Sequence, residues 1–416
     1  LSDDSASDKL PYIIDAVVNL DNSILCIQGP PGAGRSYTGK HVIAELMKQG
    51  KRVGICSNSH KAIDNLLKGC MQQCAEQGIK MTGLKAVSNT KPLDTELEAL
   101  GVIPVANKDI VGSLEESIIV ATTAWGFARE ELKNQLDYLF IDEAGQVCVA
   151  NLIGISHSSK NIVLMGDQMQ LGQPSQGTHP AESGLSLLDY FLHDSPTIAD
   201  HMGVFLGTTY RMHPAVNQYI STHFYESKLH ADACNAKQII AVPPGYTGSL
   251  NKEAGIHFIP VFHQGNTQAS EEEAQRISEL TQQLLGRSFT NKAGTQQAIS
   301  WEHILYVAPY NHQVRTLADA LSNLPGGDTA KVGSVDKFQG QEAPIVFLSM
   351  CASDANESPR GIDFLFDKHR LNVAISRAQC LVVVVGEPSL SNTAVNGVEQ
   401  MAKVNAFCGL SEGDGK

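Results

Sequence analysis

Positive charge is in short supply in this chain. Lys and Arg number 31 against 44 Asp and Glu, a formal net charge of −13. That excludes a general basic coat for nucleic acid, and with it tight, indiscriminate duplex binding. A local strip of donors is still allowed, and phosphate contacts need no more than that. Long apolar runs are missing too: none approaches the ~20 residues that span a bilayer. The opening LSDDSASDKL lacks the basic and apolar regions of a signal peptide. No CxxC pair occurs among the nine scattered cysteines, most of which sit in apolar runs. Cys70 and Cys74 are spaced for one helix face. They read as reduced structural thiols of an intracellular protein rather than zinc or iron–sulfur ligands. Internal repeats and low-complexity tracts are absent. The first residue is Leu rather than Met, so the start reads as a fragment boundary with a region missing ahead of it.

What is present suits ordinary globular domains. The chain has 416 residues, 42% hydrophobic and 18% charged, enough for two or three domains with sizeable cores. Short apolar runs alternate with helical patterns. Ser23–Gln28 is a strand candidate, Arg35–Gln49 a helix stopped by Gly50, and further strands are expected at Val53–Cys56, Ile118–Ala121, Tyr138–Ile141 and Ile162–Met165. A second series begins near His201. Its strands are expected at Val204–Leu206, His257–Val261, Ile304–Val307, Val332–Val335, Ile345–Ser349 and Leu381–Val385. Its helices are expected at Pro214–Phe224, Glu271–Leu285, Asn311–Leu321 and His369–Ala378. Ser288–Ser300 and Leu324–Ala330 read as surface loops. The fold class expected is α/β, in two tandem domains with mostly parallel sheets, residues 1–200 and 201–416.

Gly29-Pro30-Pro31-Gly32-Ala33-Gly34-Arg35-Ser36 follows a strand and opens a helix, the setting a phosphate loop needs. Glycines let backbone N–H groups turn inward on phosphates, and the helix start adds partial positive charge. Ser36 is placed to ligate Mg²⁺. Position 35 departs from the pattern, since Arg stands where Lys is expected, and a planar guanidinium does not replace a compact ammonium. Two readings follow: nucleotide binds while hydrolysis is weakened, or the site tolerates Arg and turns over slowly. Asp142-Glu143 follows the run Tyr138–Ile141. A carboxylate pair there suits a Walker B site, with Asp142 in the Mg²⁺ shell and Glu143 activating the attacking water. Gln170, in GDQMQL after the next strand, is a candidate γ-phosphate or water sensor.

The ordered series GPPGAGRS, SNSHKAIDNLL, ATTAW, FIDEAGQ, LMGDQMQLGQP, TTYRMHP, APYNHQV, VGSVDKFQGQE and LNVAISRA resembles superfamily 1 helicases. The resemblance is to the branch holding the nonsense-mediated-decay helicase and the replication helicase–nuclease, and it covers nearly all the chain. It implies two RecA-like domains, ATP and Mg²⁺ as cofactors, and single-stranded DNA or RNA as track. It also implies that Arg211 and Arg377 act as arginine fingers reaching the γ-phosphate across a cleft, a way to couple closure to nucleotide state. Tyr210 would stack on the base, Tyr37, just past the phosphate loop, would also bind nucleotide, and Glu342 would approach the ribose or Mg²⁺ side. Strand contacts would come from Ser57, Asn58, Ser59, His60, Lys61, Thr122, Thr123, Ser334 and Asp336. His213 reads as structural.

Three departures qualify the resemblance. No Gln precedes Gln28, so the upstream adenine-reading Gln of many relatives is missing. The insertion between Ala62 and Ile118 leaves room for a small stalk or barrel at most. No room exists between Arg211 and Pro309 for the large inserted domain of the opposite-polarity branch, which implies 5′→3′ movement. The tail FLFDKHRLNVAISRAQCLVVVVGEP looks most like bacterial fusions of a RecB-like nuclease to this motor. A nuclease would then precede residue 1, with no nuclease activity in the chain itself. A monomeric, cytoplasmic bacterial protein is expected. A nucleotide-gated strand-binding module and a P-loop metabolic kinase are the other classes to weigh, and the second-domain arginines speak against the kinase.

Overall fold

The computed structural model describes residues 6–87, 92–172, 180–193 and 195–411. Gln173 and Pro174, the end of LMGDQMQLGQP, lie outside the described residues. The chain divides into two compact units, Leu1–Gly207 and Thr208–Lys416.

The first unit runs α1 (Ala6–Val18), β1 (Ile24–Gln28), α2 (Arg35–Lys48), β2 (Arg52–Cys56), α3 (His60–Glu76), β3 (Thr82–Ala86), α4 (Thr95–Ala99), β4 (Ile103–Val105), β5 (Ile118–Ala121), α5 (Ala124–Phe127), β6 (Leu136–Asp142), α6 (Val149–Ser156), β7 (Ser159–Gly166), α7 (Leu187–Leu192) and β8 (Gly203–Phe205). Its strands form one eight-stranded sheet, β4-β3-β5-β2-β6-β7-β1-β8, parallel at every pairing. Both faces are covered, so successive strand residues enter opposite cores. Val53, Ile119, Phe140 and Val163 pack with Val42, Leu46 and Leu67 from α2 and α3. Ile118, Ile141 and Leu164 pack with Leu152, Leu187 and Leu188 from α6 and α7.

Two expectations change here. Val204–Leu206 was expected to open the second series, yet β8 pairs with β1 and ends the first sheet. The span between Ala62 and Ile118 makes no stalk or barrel among the described residues. It supplies β3 and β4, which widen the sheet beyond β5. Lys85 of β3 is buried there because Asp64 of α3 lies 2.8 Å from its ammonium.

The second unit runs β9 (Thr208–Thr209), α8 (Pro214–Phe224), β10 (His230–Ala231), β11 (Ile239–Ile240), β12 (Gly255–Pro260), α9 (Glu271–Leu284), β13 (Ser288–Thr290), β14 (Gln296–Ala298), β15 (Ile304–Val307), α10 (Asn311–Ser322), β16 (Lys331–Gly333), β17 (Ala343–Ser349), α11 (Gly361–Leu365), α12 (Lys368–Ile375), β18 (Ala378–Gly386) and α13 (Val398–Ser411). Its main sheet is β12-β18-β17-β15-β16, again parallel. The expected helix at His369–Ala378 stops at Ile375, and Ala378 already pairs with Ala343 in the sheet. Ser288–Ser300 is not an open loop. It folds as a hairpin, β13 antiparallel to β14, and β13 also pairs with β11.

Seven of the nine cysteines are buried, including Cys70 and Cys74 on one face of α3. Burial pushes the Cys56 thiol up to about 12, which suits packing rather than reactivity. Among the described residues, no helix is long and apolar enough to cross a membrane.

Candidate functional site

In the first unit the expected loops gather at the C-terminal ends of three adjacent strands. Gly29–Ser36 follows β1, Asp142 ends β6 with Glu143 just past it, and Gly166 ends β7 with Asp167–Gln170 after it, β7 lying between the other two strands. Glycines let the loops touch. The Gly29 N–H donates to the Gly166 carbonyl at 2.8 Å. A Cβ on Gly166 would come within 2.8 Å of the Ala144 nitrogen, and one on Gly145 within 2.8 Å of the Asp167 carbonyl oxygen.

The phosphate loop has the backbone its sequence demands. Gly32 and Gly34 take φ of 73° and 81°, a region where a side chain is strained. Pro30, Pro31 and Ala33 are buried, and the Ala33 N–H closes a turn onto the Pro30 carbonyl at 3.0 Å. Ser36 and Tyr37 are exposed at the start of α2, with the Tyr37 ring 4.0 Å from that of His41.

Arg35 does what its sequence position did not reveal. Its Nη2 donates to Glu143 Oε1 at 2.5 Å, and its Nε lies 3.1 Å from Asp142 Oδ1. One guanidinium thus spans both carboxylates of the pair expected to form a Walker B site. Burial works against its charge, but Glu143, Asp142 and Asp167 more than offset this and raise its pKa above the usual guanidinium range. Glu143 sits at φ 55°, a left-handed conformation costing a non-glycine residue about 1–3 kcal/mol. The Asp142 carboxylate accepts from the Glu143 N–H at 2.9 Å, which ties the Asp142 side chain to the main chain.

Gln170 is half-buried, and its amide donates to Asp167 Oδ2 at 2.8 Å. Asp167 also receives the Met169 N–H at 3.2 Å and the Gln28 amide at 3.4 Å. Gln28, fully buried, donates to the Pro196 carbonyl at 2.8 Å and accepts from the Ile198 N–H at 2.7 Å. Asp167 and Gln28 are positioning residues that sequence reading missed. The GD pair and a polar residue closing an apolar strand were the signals for them.

At the ends of β2 and β5, the expected strand-contacting residues divide. Asn58, Ser59, His60 and Lys61 are exposed, and Ser59 caps α3 by accepting from the Ala62 N–H at 3.4 Å. Ser57 and Thr122 are buried, contrary to a side-chain role at the surface. Ser57 Oγ accepts from the Ser59 N–H at 3.4 Å, and Thr122 Oγ1 donates to Asn107 Oδ1 at 2.9 Å. They are the first residues past the strands, still inside the layer. Thr123 is half-buried.

In the second unit, Arg211 Nε donates to Glu342 Oε2 at 2.5 Å and its Nη1 to the Ser376 carbonyl at 3.0 Å. Burial opposes ionisation of Glu342, yet Arg211 and the Gln379 amide hold its carboxyl below the usual range. Arg377 is buried. Its Nε donates to the Val373 carbonyl at 3.0 Å and its Nη1 to the Gln341 carbonyl at 3.2 Å. Tyr210 is half-buried, its carbonyl accepting from Lys292 Nζ at 3.4 Å. Arg211 and Glu342 therefore pair directly, while Arg377 is bonded to the main chain next to them, at the Gln341 carbonyl beside Glu342. Ser334 is half-buried and Asp336 exposed. The Asp336 carboxylate pairs with Arg370 at 3.2 Å, a cation that sequence reading passed over. His213 caps α8, its Nδ1 accepting from the Ala215 N–H at 3.1 Å, and burial lowers its pKa.

Family models described as an AAA domain match residues 11–100 and 105–173, and again residues 184–389. The chain is similar to the DNA polymerase alpha-associated DNA helicase A of Schizosaccharomyces pombe, at 26% identity over 88% of the chain and 61% of the relative. It is similar to the regulator of nonsense transcripts 1 homolog of Neurospora crassa, at 24% over 89% of the chain and 36% of the relative. It is also similar to the DNA replication ATP-dependent helicase/nuclease JHS1 of Arabidopsis thaliana, at 25% over 86% and 27%. The chain thus spans less than two thirds of each of these relatives.

Proposed function

Because the chain belongs to the superfamily 1 helicases, we propose that it is an ATP-dependent motor core that moves 5′→3′ along single strands. We propose further that Arg35 slows its hydrolysis. One observation carries the second part: a single guanidinium bridges Asp142 and Glu143, the two carboxylates that hydrolysis needs.

The donor set fits Mg²⁺ and a triphosphate. Gly32 and Gly34 turn backbone N–H groups into the loop, the Ser36 hydroxyl is exposed, and Asp142 ends a strand beside it. Ser36 and Asp142 would hold Mg²⁺, which when bound supplies charge neutralisation at the phosphate oxygens. Glu143 would take the proton of the attacking water, and Gln170, steadied by Asp167, would orient it. Arg211 would exchange Glu342 for phosphoryl charge. Arg377, bonded to two carbonyls, holds the segment that presents Ser376 to Arg211. For Arg35 to serve the phosphates it must first leave the carboxylates. The polarity rests on resemblance, and elements of the second unit itself occupy the span between Arg211 and Pro309. The relatives' names speak of DNA and of transcripts, so either track is proposed. The helicase/nuclease relative supports a motor joined to a nuclease within a longer chain.

The same bridge favours a second reading, a nucleotide-gated strand-binding module with little turnover. Phosphate release with single-stranded DNA or RNA, for this chain and for Arg35→Lys, separates the two. Strand-stimulated release in Arg35→Lys supports the motor; none in either protein removes it.

A further inference from the structure

The chain has only two tryptophans, and one of them, Trp125, is 86% exposed. Water is an expensive place for an indole, and the local structure holds it there. β5 ends at Ala121, next to the end of β2, and the Thr122 N–H donates to the Ile55 carbonyl at 3.1 Å. The chain then makes one tight turn, the Gly126 N–H closing onto the Thr123 carbonyl at 2.9 Å. The turn leaves no slack. A Cβ on Gly126 would lie 2.4 Å from the Thr122 side chain and 2.7 Å from Asn107 Oδ1. Two residues on, Phe127 is fully buried in the core. Phe127 anchors the turn inward, and Trp125 is the side chain thrust outward.

Its surroundings indicate what it meets. The neighbouring strand end carries exposed Asn58, Ser59, His60 and Lys61. Asn107, bonded to Thr122, brings the exposed Lys108 to the same end of the sheet. In a chain of net charge −13, two exposed lysines and a serine hydroxyl at the same end of the sheet as an exposed indole suit a polyanion that also offers flat apolar faces. A single-stranded nucleic acid is such a molecule, and aromatic platforms bind its bases with little regard to sequence.

We propose that Trp125 stacks on one base of the bound single strand, so that the first unit grips a base as well as the phosphate backbone. The proposal rests on the single-strand reading above. It predicts that affinity depends on a base being present while staying indifferent to which base it is.

The test uses the full chain, a labelled oligothymidine strand and an abasic strand of equal length. Trp125→Ala is expected to weaken oligothymidine binding roughly ten- to a hundredfold, to leave abasic binding unchanged, and to leave affinity for a fluorescent ATP analogue unchanged. Trp125→Phe should retain most of the affinity. In a Trp301→Phe background, oligothymidine should quench the remaining fluorescence and the abasic strand should not. Equal losses on both strands, or no loss and no quenching, would overturn the stacking role while leaving strand binding intact. Failure of the natural chain to bind either strand would overturn the single-strand reading, and this proposal with it.

Discussion

Replacing Arg35 with Lys should raise strand-stimulated hydrolysis. The guanidinium has two partners, Glu143 through Nη2 at 2.5 Å and Asp142 through Nε at 3.1 Å. A planar fork can span two carboxylates at once, whereas an ammonium is a point charge that satisfies one well. On the proposed roles, both carboxylates must be released before Asp142 could hold metal and Glu143 could take a proton. A charge-assisted hydrogen bond contributes about 1.5–3 kcal/mol, and the substitution removes the need to break one of the two. Each 1.36 kcal/mol is tenfold in rate, so kcat/KM for phosphate release at saturating single strand should rise about ten- to a hundredfold. Arg35→Ala frees both carboxylates but leaves no cation for the phosphates, and should not share the gain. If Arg35→Lys binds a fluorescent ATP analogue and releases phosphate no faster than the natural chain, the bridge is not what limits turnover.

Two further predictions concern the scaffold. Gly54 lies in the middle of β2, where a Cβ would meet Leu136, Leu139 and Phe127 side-chain atoms at 2.9 Å each. Gly54→Ala should cost about 1–3 kcal/mol by overpacking and lower the calorimetric Tm by roughly 2–10 °C; an unchanged Tm would refute that packing. In the second unit, buried His263 donates to Glu273 Oε1 at 2.9 Å, and Glu273 also accepts from Ser349 Oγ at 2.6 Å and the Cys351 N–H at 2.9 Å. Burial lowers the His263 pKa, but Glu273 outweighs it and the net shift is upward. Its contribution is therefore full below the unfolded value of about 6.5 and is lost as pH rises through the folded value. Urea unfolding followed at Trp301 should lose stability over that rise. Glu273→Gln should flatten the slope and cost about 1–3 kcal/mol through buried donors left short of acceptors; an unaltered slope would refute the pairing.

The elements easiest to read from sequence were those whose pattern is local. The helix at Pro214–Phe224 was legible to the residue, because His213 caps it and Pro214 suits its first position. The strands flanking the phosphate loop were legible because both their faces are apolar. β8 was not, since three residues pair wherever tertiary structure puts them. The β13–β14 hairpin was not, because its strands are largely polar and only Phe289 enters the core. Its turn carried a signal, Gly294 at φ 85°, that a polar stretch easily hides. In the candidate site, residue types at strand ends marked the loops. Side-chain direction past a strand end was illegible, so buried Ser57 and Thr122 looked like surface contacts while Trp125 went unremarked. Long-range pairs such as Arg35 with Asp142 and Glu143, or Arg370 with Asp336, exist only once the chain is folded.

On the proposed function this chain couples a nucleotide to a single strand, however fast Arg35 allows hydrolysis. The direct measurement is the affinity of the natural chain for a labelled single strand, with and without a saturating non-hydrolysable ATP analogue. Coupling between sites is typically about 5–150-fold, so a shift of at least about fivefold is expected, reciprocated in nucleotide affinity when the strand is bound. Identical strand affinities in the two states would contradict it.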